Sequence, residues 1–152
     1  MGRRAADPDA VSDLSPSPPD RPVIEVVAAL VSGPDGRTLL VRKRGTGLFM
    51  NPGGKPEPGE AHVAALRREL AEELGLDVAA GDLVPLATIR TVAANEPGHD
   101  LLAHCFTLRL DDPRHAAAAE IEEARWVDPA DPDVALAPLA SDHLLPWLVR
   151  GL

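Results

Sequence analysis

The hydrophobic residues of this chain fall into runs that predict strands and one helix. Short runs rich in β-branched residues, bounded by Gly, Pro and Asp clusters, predict strands at 23–31, 37–44, 84–92, 100–110 and 126–127. The first run, VIEVVAALV, is almost continuously apolar, which is typical of a central strand buried on both faces. The turn cluster at 33–36 predicts that the first two strands form a hairpin.

Residues 61–74 have a helical pattern, without Gly or Pro and rich in good helix formers. One stripe is apolar: Val63, Leu66, Leu70 and Leu74. The neighbouring face carries three carboxylates within about 100° of one another: Glu69, Glu72 and Glu73. Gly75 ends the helix. The apolar stripe should dock the helix on a core and direct the carboxylates to one place. A second, short helix is predicted near the C-terminus, with Ser141–Asp142 as its N-cap.

Clustered carboxylates repel one another, so a compensating charge is expected beside them. Arg68 precedes Glu72 by one helical turn and neutralises part of the cluster. A hard divalent cation, Mg²⁺ or Mn²⁺, would neutralise the rest, because these ions prefer carboxylate and carbonyl oxygens. The alternative is a solvated charged face without a ligand.

The helix lies within a longer motif. Gly54 is followed after five residues by Glu60, and after seven more by RELAEELGL, residues 68–76. This pattern reproduces without departure the signature of the Nudix hydrolases, G-x5-E-x7-R-E-U-x-E-E-x-G-U with U aliphatic, and we refer to residues 54–76 as the Nudix box. On these residues the chain resembles that family.

The resemblance implies a fold and an activity. The fold would be an α/β (α+β) arrangement, an α/β/α sandwich with a mixed sheet, the box helix on one side and the C-terminal helix on the other. The activity would be hydrolysis, with Mg²⁺ or Mn²⁺, of a diphosphate linked to another moiety, often a nucleoside. The chain would then be an enzyme whose partner is a small nucleotide or nucleoside-diphosphate derivative.

The resemblance also assigns roles to individual residues. Glu72 and Glu73 match the principal metal ligands, and Glu69 matches a further ligand or the group that takes the proton from the attacking water. Glu60 would be an outer ligand or would orient Arg68, and the carbonyl of Gly53 matches a metal contact. Relatives carry one more glutamate a few residues before the last strand, which serves as an additional metal ligand or as the base. Glu120 is the first choice for it, by its offset from Trp126, and Glu123 is the second, and the alternative is a solvated acidic turn.

Substrate contacts are expected from residues just upstream of and within the box. Arg42 or Arg44, at a strand end, would bind phosphate, and the alternative is two exposed charges. Phe49 or Met50 would pack on a base and Asn51 would bond to it, unless Phe49 belongs to the core and Asn51 caps a turn. Lys55 would pair with a box carboxylate or with substrate. His62, His104 and Cys105 are interpreted as surface or structural residues.

Sequence features that distinguish the subgroups of Nudix hydrolases narrow the range of expected substrates. The SQPWPFPxS-type segment of NADH diphosphatases is absent, Pro85 lies closer to the box than in ADP-ribose enzymes, and the chain has no Tyr. Small size and the GGK start resemble MutT-like enzymes, which act on nucleoside triphosphates. An ADP-ribose or nucleotide-sugar pyrophosphatase and a non-catalytic nucleotide sensor remain the alternatives.

Composition and net charge limit the binding partners and the cellular compartment that we expect for this chain. The net charge of −9 disfavours binding to nucleic acid polymers. The sequence has no run of about 18 apolar residues, so we expect no membrane span. One cysteine excludes an intramolecular disulfide and fits a cytoplasmic setting. We expect a Pro-rich disordered tail at 1–21 and one domain at 22–152, as a monomer or homodimer.

Overall fold

A mixed six-stranded sheet organises the molecule. The computed structural model describes residues 21–151. The strands are β1 (Val23–Ser32), β2 (Thr38–Lys43), β3 (Gly53–Gly54), β4 (Val84–Val92), β5 (Asp100–Arg109) and β6 (Ile121–Val127). Their order is β4-β5-β1-β2-β6, and the short β3 pairs with β1. Strands β1 and β5 are parallel, and the other pairs are antiparallel.

Helices cover both faces of this sheet. Helix α1 (His62–Leu74) packs on one face, and a C-terminal helical segment packs on the other. This segment, residues 139–150, consists of a π-helical stretch (Leu139–Leu144) followed by α2 (Leu145–Arg150), and a 3₁₀ turn (Ala80–Asp82) precedes β4. The predicted α/β/α sandwich with a mixed sheet is confirmed.

The apolar stripe of α1 makes the contact predicted for it. Leu66, Leu70 and Leu74 are at most 1% exposed and pack against buried residues of β1, β2 and β5. The helix ends because Gly75 takes a left-handed conformation with φ of 66°. There its N–H donates to the carbonyl of Ala71. The end of the helix is therefore set locally, whereas its position on the sheet is set by the leucines.

The first strand is buried on both faces only along its second half. Val27 to Val31 are almost completely buried, but Val23 is 43% exposed. The helices cover the centre of the sheet and leave the beginning of β1 at its margin. Cys105 on β5 is buried in the core beneath the C-terminal segment, in agreement with a structural role.

The start of the C-terminal helix was predicted wrongly. Ser141 and Asp142 lie inside the π-helical stretch, and the Ser141 hydroxyl contacts the Asp142 carboxylate instead of a backbone amide. Buried Leu139 and Ala140 begin the helical segment earlier, and the carbonyl of Ala137 accepts hydrogen bonds from two successive amides. Burial of apolar side chains, which a local capping pattern does not report, decides this boundary.

The last strand is longer than predicted, beginning at Ile121 instead of Trp126. Glu122 and Glu123 therefore belong to a strand and not to an acidic turn. Their charges are compatible with a strand because each meets an arginine of the β2 region, Arg44 at 2.9 Å and Arg42 at 3.7 Å. These cross-strand partners lie about eighty positions away in the sequence.

Of residues 1–21, only Arg21 lies within the described part of the chain, where its guanidinium pairs with Asp100 on β5. Among residues 21–151, no helix has the length and apolar character required to span a bilayer.

Candidate active site

Strand β3 brings the backbone of the double glycine against β1. A Cβ atom on Gly53 would lie 1.9 Å from the carbonyl oxygen of Val27, so this approach requires glycine. Gly53 also has φ of 155°, in the region that favours glycine. In this position its N–H donates to Oε1 of Glu73 at 3.2 Å. This hydrogen bond joins the double glycine to the box helix.

Glu73 is the most buried of the box carboxylates, with 2% of its surface exposed. Burial, followed by the charge of Glu69, raises the pKa of Glu73 to about 8, although the Gly53 amide and Lys43 lower it. Its second oxygen, Oε2, has no hydrogen-bond partner among the described residues. A buried carboxylate oxygen without a partner is costly unless a cation neutralises it, so this residue fits a hard divalent metal.

Glu69 lies beside Glu73 and against Gly54. A Cβ atom on Gly54 would lie 2.5 Å from the Glu69 carboxylate, so the missing side chain makes room for this group. Burial is the main reason that the pKa of Glu69 is raised, and the charges of Glu72 and Glu120 add to it. Arg68 partly offsets this effect by donating to Glu69 Oε2 at 3.1 Å.

Arg68 forms a bidentate salt bridge with Glu60, with nitrogen–oxygen distances of 2.9 and 3.0 Å. Hydrogen bonds from Arg68 and from the Glu57 amide lower the pKa of Glu60 to about 2, and the same contact raises the pKa of Arg68. Arg68 also lies 3.5 Å from Glu72, which is 55% exposed. Of the two roles predicted for Glu60, this geometry favours orientation of Arg68.

Glu120 and Glu123 occupy different surroundings. Glu120 precedes β6, and its charge contributes to the raised pKa values of Glu69 and Glu73. Its Oε2 lies 3.3 Å from Nζ of Lys43. Glu123 instead accepts hydrogen bonds from Arg125 at 2.9 and 3.2 Å. The structure therefore brings Glu120 to the box carboxylates and pairs Glu123 with arginines.

A cleft of about 620 Å³ opens beside these groups. Gly53, Gly54, Glu69 and Glu120 line one part of it. Apolar side chains also line it, from β1, from β5 and from the start of the C-terminal helical segment and the residues just before it: Ile24, Val26, Leu101, Ala137 and Leu139. The cleft thus combines an acidic region with an apolar region large enough for a small molecule.

Three of the five predicted substrate contacts line this cleft: Arg44, Asn51 and Lys55. Arg44 already pairs with Glu122, and Lys55 is 65% exposed. Asn51 is 6% exposed, and neither side-chain atom of its amide has a hydrogen-bond partner among the described residues. Asn51 is thus a buried amide beside the cleft whose donor and acceptor are both unpaired among the described residues.

The other two predicted contacts lie elsewhere. Phe49 is 5% exposed and packs in a core cluster with Leu40, Val127 and Leu145. The guanidinium of Arg42 lies over the Phe49 ring, 5.8 Å from its centre, and donates to the carbonyl of Thr46. These placements agree with the alternative interpretation of Phe49 as a core residue.

Sequence reasoning missed Lys43 and the loop at 93–96, both of which line the cleft. Lys43 could have been found from strand alternation, since Val41, two residues earlier, packs against α1. The loop carries Asn95 and Glu96, but their local sequence shows only a turn. Its position depends on the pairing of β4 with β5.

Comparison with known proteins agrees with this geometry. The family model for the NUDIX domain matches residues 22–148. The chain belongs to the NUDIX family. Among solved structures, the Escherichia coli ORF135 protein superposes with a TM-score of 0.65 and 30% identity, covering 85% of this chain and 90% of that protein.

Two curated relatives illustrate the NUDIX proteins that this chain resembles. The Mycobacterium tuberculosis protein called "Putative 8-oxo-dGTP diphosphatase 2" is 40% identical over 121 residues, 71% of this chain and 82% of the relative. The CTP pyrophosphohydrolase of Escherichia coli is 44% identical over 66 residues, 41% of this chain. The chain spans 48% of the length of the CTP pyrophosphohydrolase and 34% of the length of a further curated relative.

The raised pKa of Glu73 predicts a pH dependence of stability in the metal-free protein. Folding raises this pKa from 4.5 to about 8, so the contribution of Glu73 is fully present below pH 4.5 and is lost as the pH rises to 8. Relative to wild type, Glu73→Gln should therefore become more stable with rising pH, by at most about 1.4 kcal/mol per pH unit. Urea unfolding with a chelator across this range measures the difference.

The exposed Glu57 provides the matched control for this experiment. Glu57→Gln removes an exposed carboxylate instead of a buried one, so it should not reproduce the gain in stability expected for Glu73→Gln. A difference between Glu73→Gln and wild type that does not change with pH would contradict the environment described for Glu73.

Proposed function

We propose that this protein is a metal-dependent pyrophosphohydrolase that converts a nucleoside or deoxynucleoside triphosphate into the monophosphate and pyrophosphate. The observation that carries the proposal is a cleft lined both by Glu69 and Glu120 and by apolar side chains, with Glu73 buried close enough to feel the charges of these two carboxylates. The carboxylates suit a metal-bound diphosphate, and the apolar side chains suit a base and sugar.

The carboxylates fit a hard divalent cation, Mg²⁺ or Mn²⁺. Glu69, Glu72, Glu73 and the carbonyl of Gly53 would hold it, with Glu60 acting through Arg68. The partnerless Oε2 of Glu73 supports this donor set, because oxygen ligands are those that these cations prefer. When bound, the ion supplies Lewis-acid polarisation of the phosphoryl oxygens.

The residues around the cation site would handle the proton and the phosphates. A water oxygen forms a bond to the α- or the β-phosphorus while the bond from that phosphorus to the oxygen bridging the two breaks. The bridging oxygen leaves with pyrophosphate in the first case and with the nucleoside monophosphate in the second. Glu120 accepts the proton of the attacking water, and Lys43, 3.3 Å away, holds its carboxylate in place. Arg44 and Lys55 would attract the remaining phosphates, since both line the cleft.

Recognition of the nucleoside would rest on Asn51 and the apolar wall. The amide of Asn51 offers a donor and an acceptor, which a base edge could use, and both atoms lack partners among the described residues. Ile24, Val26 and Leu139 offer the base a flat apolar surface. The names of the two relatives, a CTP pyrophosphohydrolase and an 8-oxo-dGTP diphosphatase, support triphosphates as the substrate class.

The proposal is tested by measuring phosphate and pyrophosphate release with Mg²⁺ or Mn²⁺ over a panel of substrates. The panel contains canonical and oxidised nucleoside triphosphates, ADP-ribose, NADH, diadenosine polyphosphates and nucleotide sugars. Pyrophosphate release from triphosphates, reduced in Asn51→Ala mainly through a higher KM, is expected. Preferred turnover of ADP-ribose or a nucleotide sugar would contradict nucleoside triphosphates as the substrate class and would assign that compound instead. Nucleotide binding without any turnover would indicate a sensor.

Glu120 and Glu123 allow a matched test of the proton acceptor. Glu120→Gln should lower kcat by about a hundredfold or more, because general-base catalysis contributes about that factor. Glu123→Gln, which removes the same charge three residues away, should leave kcat within a few fold of wild type. Steady-state kinetics of the two variants decide the assignment, and the reverse ranking would transfer the role to Glu123.

A further inference from the structure

Two histidines and a glutamate meet outside the catalytic cleft. Glu25 lies on β1, His104 on β5 and His62 at the start of α1. Nε2 of His104 is 2.7 Å and Nε2 of His62 is 3.8 Å from the same oxygen, Oε2 of Glu25. The two imidazole rings stack, with their centres 3.8 Å apart. The three ligand atoms all lie within 4.8 Å of one another.

We propose that these three side chains form a second metal site, which binds Zn²⁺ or a similar transition-metal ion. Two imidazole nitrogens and one carboxylate oxygen are a donor set typical of Zn²⁺, with water as the fourth ligand. Mg²⁺ prefers oxygen ligands, so it would not compete well for this donor set. The site would therefore differ from the box carboxylates in the ions that it selects.

To accept an ion, the His62 ring must turn out of its stack with His104, so that both Nε2 atoms point at one position. Tetrahedral coordination with ordinary zinc–nitrogen distances places ligand atoms about 3.3 Å apart. The His104–Glu25 distance is already shorter than this value, and His62, with 42% of its side chain exposed, has room to rotate toward the other two. Nδ1 of His104 lies 3.3 Å from the hydroxyl of Thr88 on β4. Such a contact orients the ring and leaves Nε2 directed at the ligand position.

The second site is separate from the cleft. His62 precedes Glu69 by seven residues, which corresponds to about 10 Å along the axis of α1. Glu25 and His104 belong to the parallel pair β1 and β5, which supports the first turn of the helix. A bound ion would therefore connect two central strands to the start of the helix that carries the catalytic carboxylates. Its expected effect is stabilisation of the fold.

Cobalt spectroscopy tests the proposal, because Co²⁺ in a tetrahedral site with nitrogen ligands has strong visible bands that octahedral oxygen sites lack. Protein without a histidine tag is freed of metal and titrated with Co²⁺. Wild type should develop the bands with one ion per chain, and Zn²⁺ but not Mg²⁺ should remove them. Thermal unfolding should shift to higher temperature with Zn²⁺.

Variants separate the second site from the box. The bands should be lost in His62→Ala and Glu25→Gln, and retained in the control His115→Ala and in the double variant Glu69→Gln/Glu73→Gln. His62 and Glu25 are exposed enough to be replaced without loss of the core, and circular dichroism verifies folding. Absence of the bands in wild type would overturn the proposal. Bands lost in the box variant but kept in His62→Ala would overturn it too, since the ion would then lie in the box.

Discussion

Glu73→Gln is expected to lower kcat at least about a thousandfold, because a bound metal contributes about 4 kcal/mol of charge stabilisation in the transition state. The amide keeps the size of the carboxylate and its Oε1 still accepts the hydrogen bond from Gly53. It replaces Oε2, the buried oxygen without a partner among the described residues, by a group that does not ligate a cation. The loss is measured as turnover of the preferred triphosphate at saturating Mg²⁺.

Folding and metal binding of this variant are measured in parallel. Glu73→Gln should stay folded without metal and show the pH-dependent gain in stability over wild type described above, since the exchange removes a buried charge and adds no volume. It should bind Mn²⁺ more weakly in a titration, whereas Glu57→Gln should match wild type in binding and turnover. A Glu73→Gln variant with near wild-type turnover would show that Glu73 does not hold the catalytic ion.

The second large effect is expected at Gly53. A methyl group here would collide with backbone atoms of β1, 1.9 Å from the carbonyl oxygen of Val27 and 2.9 Å from the Cα of Ala28. Backbone atoms in a paired strand cannot rotate away as a side chain can. Gly53→Ala should therefore lower the free energy of unfolding by about 3 kcal/mol and separate the Gly53 amide from Glu73, which would abolish turnover.

Gly47 is the matched control for this experiment, because a Cβ atom there would meet no atom within 4 Å. Gly47→Ala should keep the stability and turnover of wild type. Urea unfolding of both variants measures the difference. Equal unfolding midpoints for Gly53→Ala and Gly47→Ala would mean that β3 does not pack against β1 as described.

Much of the fold followed from local patterns. The box helix ends where the Gly75 signal places it, and the strands at 84–92 and near 100–110 lie within a residue of their predicted bounds. These elements are predictable because their periodicity and punctuation come from neighbouring residues. The last strand and the C-terminal helix were misjudged, since their limits depend on cross-strand ion pairs and on burial of Leu139.

The sequence by itself determined the family, through the uninterrupted spacing from Gly54 to Leu76, and it determined that Glu69, Glu72 and Glu73 share one side of a helix. A spacing of this kind fixes angles around one helix axis. It does not fix how far each side chain is buried. The different roles expected of Glu69 and of Glu72 and Glu73 therefore came from the family resemblance, and the spacing itself did not predict which of the three carboxylates is buried.

Only the tertiary structure decided how these groups differ. It buries Glu73 and leaves Glu72 largely exposed, because the leucines of α1 turn one edge of the helix toward the sheet. It also brings Glu120 to the box, and Glu25 to His104, 79 residues apart. Contacts between residues so far apart in the sequence depend on the order and register of the strands. Order and register are set by the burial of side chains throughout the domain, and no local sequence pattern encodes them.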